Sequence, residues 1–290
     1  MNIIFSIDGG LGKSIKATAI VKVIKKKYKK SNLIVISAYP DVFLHNPYVN
    51  RCVAFSSTQI YKEYIKEQNC KLFVANPYHQ SDFLLHNKHL FEVWCDMFGL
   101  TYNGEMPEIF LTESEKQYFE PFYKLDKPVF ALQTHGGGKD QGQKYSWARD
   151  LPDPLTREII NHFKSDYTIC HIKRPDQPSY EDTLAATDGY RSIAILIMHS
   201  SKRLFIDSFA QHLAAALNAP SVVGWVTTHP DTFGYDMHLN ILANPFTLNP
   251  LYNHPHFQPF ALFEDIKDIP YKNLNDIFEP ETFIKNILSL

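Results

Sequence analysis

The sequence predicts an α/β protein made of two Rossmann-like domains facing a cleft, over residues 1–124 and 125–290. Three observations predict it. Apolar, strand-like runs alternate with helix-period segments along the chain, which is the mark of βαβ units and a parallel sheet. The alternation occurs twice, on either side of the segment Pro121-Phe-Tyr-Lys-Leu-Asp-Lys-Pro128. Each series opens on a buried-type strand followed by a glycine-rich turn, Asp8-Gly-Gly-Leu-Gly12 in the first and Gly136-Gly-Gly138 in the second. The two halves do not repeat in sequence, so the likeness expected is one of architecture.

In the first half, Ile3–Ile7 reads as a strand and Ser14–Tyr28 as a helix with Ile20, Val23, Ile24 and Tyr28 on one face. Strands are expected at Leu33–Ser37, Cys52–Phe55, Lys71–Ala75 and Glu108–Leu111, and helices at Ser57–Gln68 and His86–Phe98. Thr112 opens a further helix, with Glu115 completing a capping box. In the second half, strands are expected at Pro128–Thr134 and Tyr167–Ile172, and helices at Asp153–Lys164 and Ser192–His199. The turn Lys173–Asp182 leads into a weak helix, and Pro280–Leu290 forms a last helix, apolar on one side.

Composition narrows the function classes. A chain of 290 residues with ordinary apolar content buries a real core. Its net charge of -2 gives no general drive toward nucleic acid. Cys52, Cys70, Cys95 and Cys170 are far apart, with no Cys-x-x-Cys, and read as reduced thiols of a cytoplasmic protein. Asn2–Ile7 is too short for a signal segment, and no apolar run is long enough to span a membrane. Any membrane contact is expected to be peripheral. The run Lys25-Lys-Lys-Tyr-Lys-Lys30 ends a helix, where cations suit the dipole, and attraction to an acidic membrane face is the sharper alternative. His254 and His256 lack metal-ligand spacing, so no metal site is expected.

The most specific stretch is Phe205–Pro220. It reads as strand, sharp turn, helix and stop. Ser208 and Gln211 form a capping box, and Asn218 with Pro220 ends the helix. A helix that begins just past a strand's carboxyl end is where open α/β sheets bind phosphates. His212 lies one turn after Ser208, so both can point at one ligand.

Asp207, Ser208, His212, Ala214, Ala215, Ala216, Leu217 and Pro220 resemble the donor-site signature of glycosyltransferase family nine, the heptosyltransferase-like enzymes of GT-B fold, with Phe209 in place of the usual glycine. Trp225-Val-Thr-Thr-His-Pro-Asp231 resembles the family's Gly-x-Thr-x-Pro loop, and Asn46-Pro-Tyr-Val49 its Asn-Pro-x-Val segment. Lys144-Tyr-Ser-Trp147 resembles its Lys-x-Trp, with one extra residue. Leu11-Gly12-Lys13 stands where the family has Leu/Met-Gly-Asp.

The resemblance implies an inverting, metal-independent transfer from a nucleotide-diphosphate sugar to a lipopolysaccharide- or capsule-type glycan, with no cofactor. It implies donor binding by Lys144, Glu181, Asp207, Ser208, Phe209 and His212, with backbone amides of Gly9, Gly10 and Gly12 and of Gly136, Gly137 and Gly138 at the two turns. The family's base is replaced by Lys13, so Asp8 is the candidate base and Lys13 its companion; the plainer reading of Asp8 is a turn residue before Gly-Gly. Asp41 and His45 could face an acceptor, or be solvated loop. The resemblance also allows the final helix to return to the first domain. Two other functions fit the residues. One is a degenerate transferase that binds a nucleotide sugar or glycan without turnover. The other is a P-loop-like nucleotide hydrolase using Gly9-Gly-Leu-Gly-Lys13-Ser14, against which stand Ile7 in place of the motif's first glycine and the acidic Asp8 inside the cradle.

Overall fold

A computed structural model of the chain describes residues 1–55, 61–66, 69–74, 76–137, 149–247 and 271–290. The chain divides into two compact units, Met1–Glu113 with Ala215–Leu217, and Ser114–Ala214 with Asn218–Leu290.

The first unit is built on a four-stranded parallel sheet of order β3-β2-β1-β4: β1 (Asn2–Ile7), β2 (Asn32–Ser37), β3 (Arg51–Val53) and β4 (Cys70–Val74). The apolar runs of β1 and β2 are buried on both faces, as a parallel sheet requires. Helix α1 (Leu11–Lys27) starts three residues before the expected Ser14, because Gly10 takes the extended N-cap conformation directly after the turn. Gly12 and Lys13 are therefore helical residues. Helix α2 (Leu90–Met97) is shorter than expected, since His89 caps it: its ring accepts the Phe91 amide while Glu92 accepts the His89 amide. Phe5, Trp94, Phe98 and Phe73 interlock between α2 and the sheet, with ring centroids 4.6–5.8 Å apart.

The strand expected at Glu108–Leu111 does not form. That stretch is extended but pairs with side chains of α1: the Glu108 amide donates to Thr18 Oγ1 at 2.9 Å, Lys22 Nζ bonds Glu108 at 2.7 Å, and Lys26 Nζ bonds the buried Glu105 at 2.8 Å. Lys25 donates to the Ser31 carbonyl and Lys27 to the Gly99 carbonyl. Three of the five lysines in the basic run thus have partners within their own unit. The expected helix at Ser57–Gln68 lies partly outside the described residues; Tyr61–Ile65 is a π-helical turn.

The second unit holds a six-stranded parallel sheet of order β10-β9-β8-β5-β6-β7: β5 (Val129–Leu132), β6 (Thr168–Ile172), β7 (Thr183–Ala186), β8 (Ser200–Ile206), β9 (Val222–Trp225) and β10 (Leu239–Leu242). Its helices are α3 (Glu113–Phe119), α4 (Asp153–Phe163), α5 (Tyr190–His199), α6 (Phe209–Ala216) and α7 (Pro280–Ser289). Glu115 of α3 forms an ion pair with Arg191 of α5, and the hydroxyls of Tyr123 and Ser192 bond at 2.7 Å. These contacts hold residues 114–123 to the second unit, so the division falls earlier than the expected boundary after residue 124. The weak helix expected after Asp182 is instead the edge strand β7, which pairs with β6.

The final helix, α7, packs into the second unit's own core. Phe283 and Ile287 are fully buried there with Leu132, Leu151, Ile159 and Ile206. Gly224 of β9 makes room for it: a Cβ there would lie 2.7 Å from Leu151 Cδ2 and 3.3 Å from the Phe283 ring. Phe283→Ala is expected to cost about 3–5 kcal/mol, read as a lower urea midpoint at unchanged m-value. Among the described residues, no helix is long and apolar enough to cross a membrane.

Candidate active site

In the second sheet the chain runs β5, β6, β7 to one side and then returns to place β8 on the other side of β5. Strand order reverses between β5 and β8, and the crevice at the carboxyl ends of those strands is where open α/β sheets take ligands. Residues 133–137 follow β5 and residues 207–208 follow β8, so both loops meet there. Gln133 Nε2 donates to Ser208 Oγ at 3.4 Å. A Cβ on Gly136 would lie 3.5 Å from Ser208 Oγ and from Ile206 Cδ1, so the two turns sit against one another. The Gly136 amide donates to Asp150 at 2.9 Å, and Gln177 Nε2 donates to the Gly137 carbonyl at 3.3 Å. Gly137 has φ +64°, a left-handed conformation that favours glycine. Arg149 Nη1 donates to the Asp207 carbonyl at 3.4 Å, which sets a guanidinium beside the N-terminus of α6. That terminus has amides without intrahelical partners and no acidic residue in its first turn. A cation, a helix N-terminus and a glycine turn are the features with which α/β folds hold phosphate groups.

The floor of this crevice is a histidine relay. Thr134 Oγ1 lies 2.7 Å from His135 Nδ1 and 2.9 Å from His171 Nε2. The hydroxyl can donate to no more than one of these rings, and the His tautomers set the directions. His171 is fully buried against Tyr180, and its Nδ1 has no partner among the described residues. Burial pushes its pKa down to about 3, and burial lowers that of His135 as well. Burial therefore favours the neutral form of both rings, and Arg149 and Lys173 bring positive charge to this end of the sheet. His238, buried at the Gln211 carbonyl, is pushed down to about 4, chiefly by burial.

These depressed values have a stability consequence. The unfolded histidines titrate near pH 6.5, while the folded ones stay neutral well below it. Their contribution is complete above pH 6.5 and is lost as pH falls toward the folded values, because the unfolded chain then binds more protons. The unfolding free energy should fall between pH 6.5 and pH 4, by up to about 1.4 kcal/mol per pH unit for each histidine, and the urea midpoint with it. A His171→Gln variant, followed by urea titrations across that range, should show a visibly shallower slope.

The first sheet reverses its order between β1 and β4. Asp8 and the glycine turn follow β1, and Asn76 and Tyr78 follow β4. Lys13, in the first turn of α1, is 7% exposed, and its ammonium reaches back to the Asp8 carboxylate. It also lies 3.4 Å from Asn76 Oδ1 and over the rings of Tyr78 and Trp94, at 5.1 and 5.8 Å from their centroids. The Asp8 side chain is 65% exposed, so it presents its carboxylate to solvent at the carboxyl edge of the sheet. Gly9 has φ +88°, and a Cβ there would meet Lys13 Cδ at 3.2 Å. Gly9→Ala should therefore both strain the turn and displace Lys13, at a cost of about 1–2 kcal/mol in urea unfolding.

Solved structures share this fold. A family nine glycosyltransferase from Veillonella parvula is similar over 99% of this chain and 96% of its own, with a TM-score of 0.71 at 14% identity. The ADP-heptose lipopolysaccharide heptosyltransferase II of E. coli covers 83% of this chain and 90% of its own at a TM-score of 0.63 and 14% identity. An E. coli heptosyltransferase solved with ADP covers 84% of this chain and 93% of its own, at 0.56 and 11% identity. No family model and no curated protein sequence matches the chain. The fold is that of the family nine glycosyltransferases.

Within the family nine fold, the sequence-predicted residues separate. Gly136, Gly137, Ser208 and Phe209 come together at the β5/β8 crevice, and Asp8, Gly9, Gly10, Gly12 and Lys13 at the β1/β4 one. Lys144 and Gly138 lie outside the described residues. Glu181 does not reach the site: it is exposed two residues before β7, at the amino edge of the sheet, because the chain there turns to begin a strand. His212 is buried, with Nδ1 3.0 Å from the Tyr235 hydroxyl and Nε2 4.0 Å from the Asp207 carboxylate, and it locks α6 to the loop after β9. Asp207 is buried too, within 3.5 Å of Gln211 Nε2. Gln211 gives its amide to Asp207 and to the Phe233 carbonyl, while the Ser208 amide turns back to the Ile206 carbonyl at 2.7 Å. The expected capping box is thus replaced by a tighter turn, and the Ser208 amide is spent. Sequence reasoning passed over Gln133, Thr134, His135, His171 and Arg149 as site residues. Their signal is position: each follows or adjoins the carboxyl end of β5 or β6.

Proposed function

We propose that this protein is a glycosyltransferase that moves a sugar from a nucleotide-diphosphate sugar to a glycan acceptor, with inversion and without a metal. The observation that carries the reading is the β5/β8 crevice, where Arg149, the glycine turn and the N-terminus of α6 converge in a fold shared with sugar-transferring enzymes. The diphosphate rests on the α6 amides, Arg149 and the turn at Gly136 and Gly137. Asp8 accepts the acceptor's hydroxyl proton, with Lys13 and Asn76 fixing its position. The acceptor oxygen forms its bond to the anomeric carbon as the bond to the diphosphate oxygen breaks, and the negative charge leaves with the nucleotide. Those fixed donors strengthen as that charge develops, which is where electrostatic stabilisation lowers the barrier. Among the described residues, no group of three or more His, Cys, Asp or Glu is arranged to hold a metal, although one structural relative, from enterotoxigenic E. coli, is described as iron-containing. The expected site of action is the cytoplasm.

The P-loop reading has little support. Lys13 is directed to Asp8 and Asn76, and Ile7 is buried inside β1. The degenerate-transferase reading draws on Lys13, which stands where the family has its base and is directed to the Asp8 carboxylate. Incubation with a panel of nucleotide sugars and bacterial glycans in EDTA, with chromatography of the released nucleotide, tests the choice. Glycan-dependent release of one nucleoside diphosphate supports transfer. Binding without release supports the degenerate reading.

A further inference from the structure

Among the described residues of the turn after β5, 133–137, His135 is the one titratable side chain, and the chemistry proposed above leaves it unused. It immediately precedes Gly136 and Gly137, on which the diphosphate is proposed to rest, and Gly136 sits against Ser208 just before α6. The ring is anchored at one nitrogen only. Nδ1 lies 2.7 Å from Thr134 Oγ1, while Nε2 has no hydrogen-bond partner among the described residues. Thr134 and His171 behind it are fully buried, but His135 is partly exposed. Its Nε2, unlike the Nδ1 of His171, is not sealed off from solvent.

This anchor can carry a charged ring. An imidazolium donates from both nitrogens. Nδ1–H then donates to Thr134 Oγ1, and the Thr134 hydroxyl donates to His171 Nε2, 2.9 Å away. His171, kept neutral by burial, accepts there. That leaves Nε2–H of His135 to meet a ligand. The charges around the ring come from several elements. Asp153, in the first turn of α4, favours the charged form, and Lys173, just after β6, opposes it. Asp153 is itself bonded to Arg157 at 2.7 Å, Asp150 accepts the Gly136 amide, Arg149 donates to the Asp207 carbonyl, and Tyr180 lies against His171. Burial outweighs these and lowers the pKa of the free ring. A diphosphate at the turn brings negative charge to it, which favours the charged form of a neighbouring histidine.

We propose that His135 contacts the diphosphate: its Nε2 donates to a phosphate oxygen, and the ring takes up one proton from solvent as the ligand binds, with no bond of the nucleotide broken. The assignment rests on the transferase reading of the β5/β8 crevice. By linkage, affinity is greatest in acid and falls as pH rises between the free and bound values of the ring, by up to about tenfold per pH unit. The test is calorimetry of ADP, GDP, UDP and CDP into the full chain in EDTA, in HEPES and in Tris at one pH, where the difference in heat counts the protons taken up. A terminal phosphate has its own second pKa of about 6, so the glucose diester of the base that binds is titrated alongside. The wild-type protein should take up about half a proton or more beyond His135→Gln, and its affinity should fall with rising pH where the variant's stays flat. Thr134→Val removes the acceptor for Nδ1–H, serves as a second variant, and should lose most of the uptake. Equal proton counts in wild type and either folded variant overturn the contact and leave the crevice as a diphosphate site. Absence of binding by all four nucleotides overturns the crevice reading as well, so the two failures are separable.

Discussion

Asp8→Asn should lower kcat by about 10²–10⁴-fold while leaving the affinity for the nucleotide sugar within about twofold. Asparagine matches aspartate in shape and can still accept from Lys13, but it cannot take a proton at neutral pH. The proposed diphosphate contacts, Arg149, the α6 amides and the turn at Gly136 and Gly137, are all kept in this variant. The check is steady-state kinetics for both substrates, with donor affinity measured separately by calorimetry. Unchanged turnover would return Asp8 to the plainer role of a turn residue before Gly9 and Gly10. Lys13→Met is the companion variant. It removes the ammonium that holds the carboxylate, so kcat should fall less than in Asp8→Asn, and nucleotide affinity should not change. A loss of nucleotide affinity in that variant would favour the P-loop reading.

Arg149→Met should reduce kcat by about 10²–10³-fold and also weaken nucleoside-diphosphate binding, because a fixed cation beside a helix N-terminus acts on the bound diphosphate and on the charge that builds during departure. Methionine keeps much of the stem's packing and removes the guanidinium. Arg149→Lys should recover only part of the loss, since an ammonium lacks the fork that binds two phosphate oxygens at once. Calorimetry on the free diphosphate separates ground-state binding from the catalytic effect. Equal affinity and equal kcat in Arg149→Met would remove this residue from the site and leave the anion to the α6 amides and the turn.

Much of the architecture is legible in the residues, because parallel strands buried on both faces are near-continuous apolar runs, as in Ile3–Ile7 and Leu33–Ile36. The elements missed are those without that signal. β7 is an edge strand with Leu184 exposed, and β10 is another edge strand whose residues alternate poorly. Glu108–Leu111 looks like a strand, yet its backbone is satisfied by Thr18, a partner ninety residues away that no local pattern announces. The candidate site was legible in its turns and less so in its side chains. Helical spacing correctly places Ser208 and His212 one turn apart, but periodicity does not tell which neighbour covers a face, and Tyr235 covers His212. Lys13 reads as a residue of the glycine-rich turn before the helix, and no local pattern announces that Tyr78 and Trp94 surround it. Arg149 carries no motif of its own; only the reversal of strand order between β5 and β8 gives it meaning.

The central claim is that a nucleoside diphosphate binds at the β5/β8 crevice without a metal. Isothermal titration of ADP, GDP, UDP and CDP into the wild-type protein and Arg149→Met, in EDTA, tests it most directly. One diphosphate should bind the wild-type protein with a micromolar dissociation constant and lose at least tenfold in the variant. Binding that requires magnesium and ATP, or that is equal in both proteins, would contradict it.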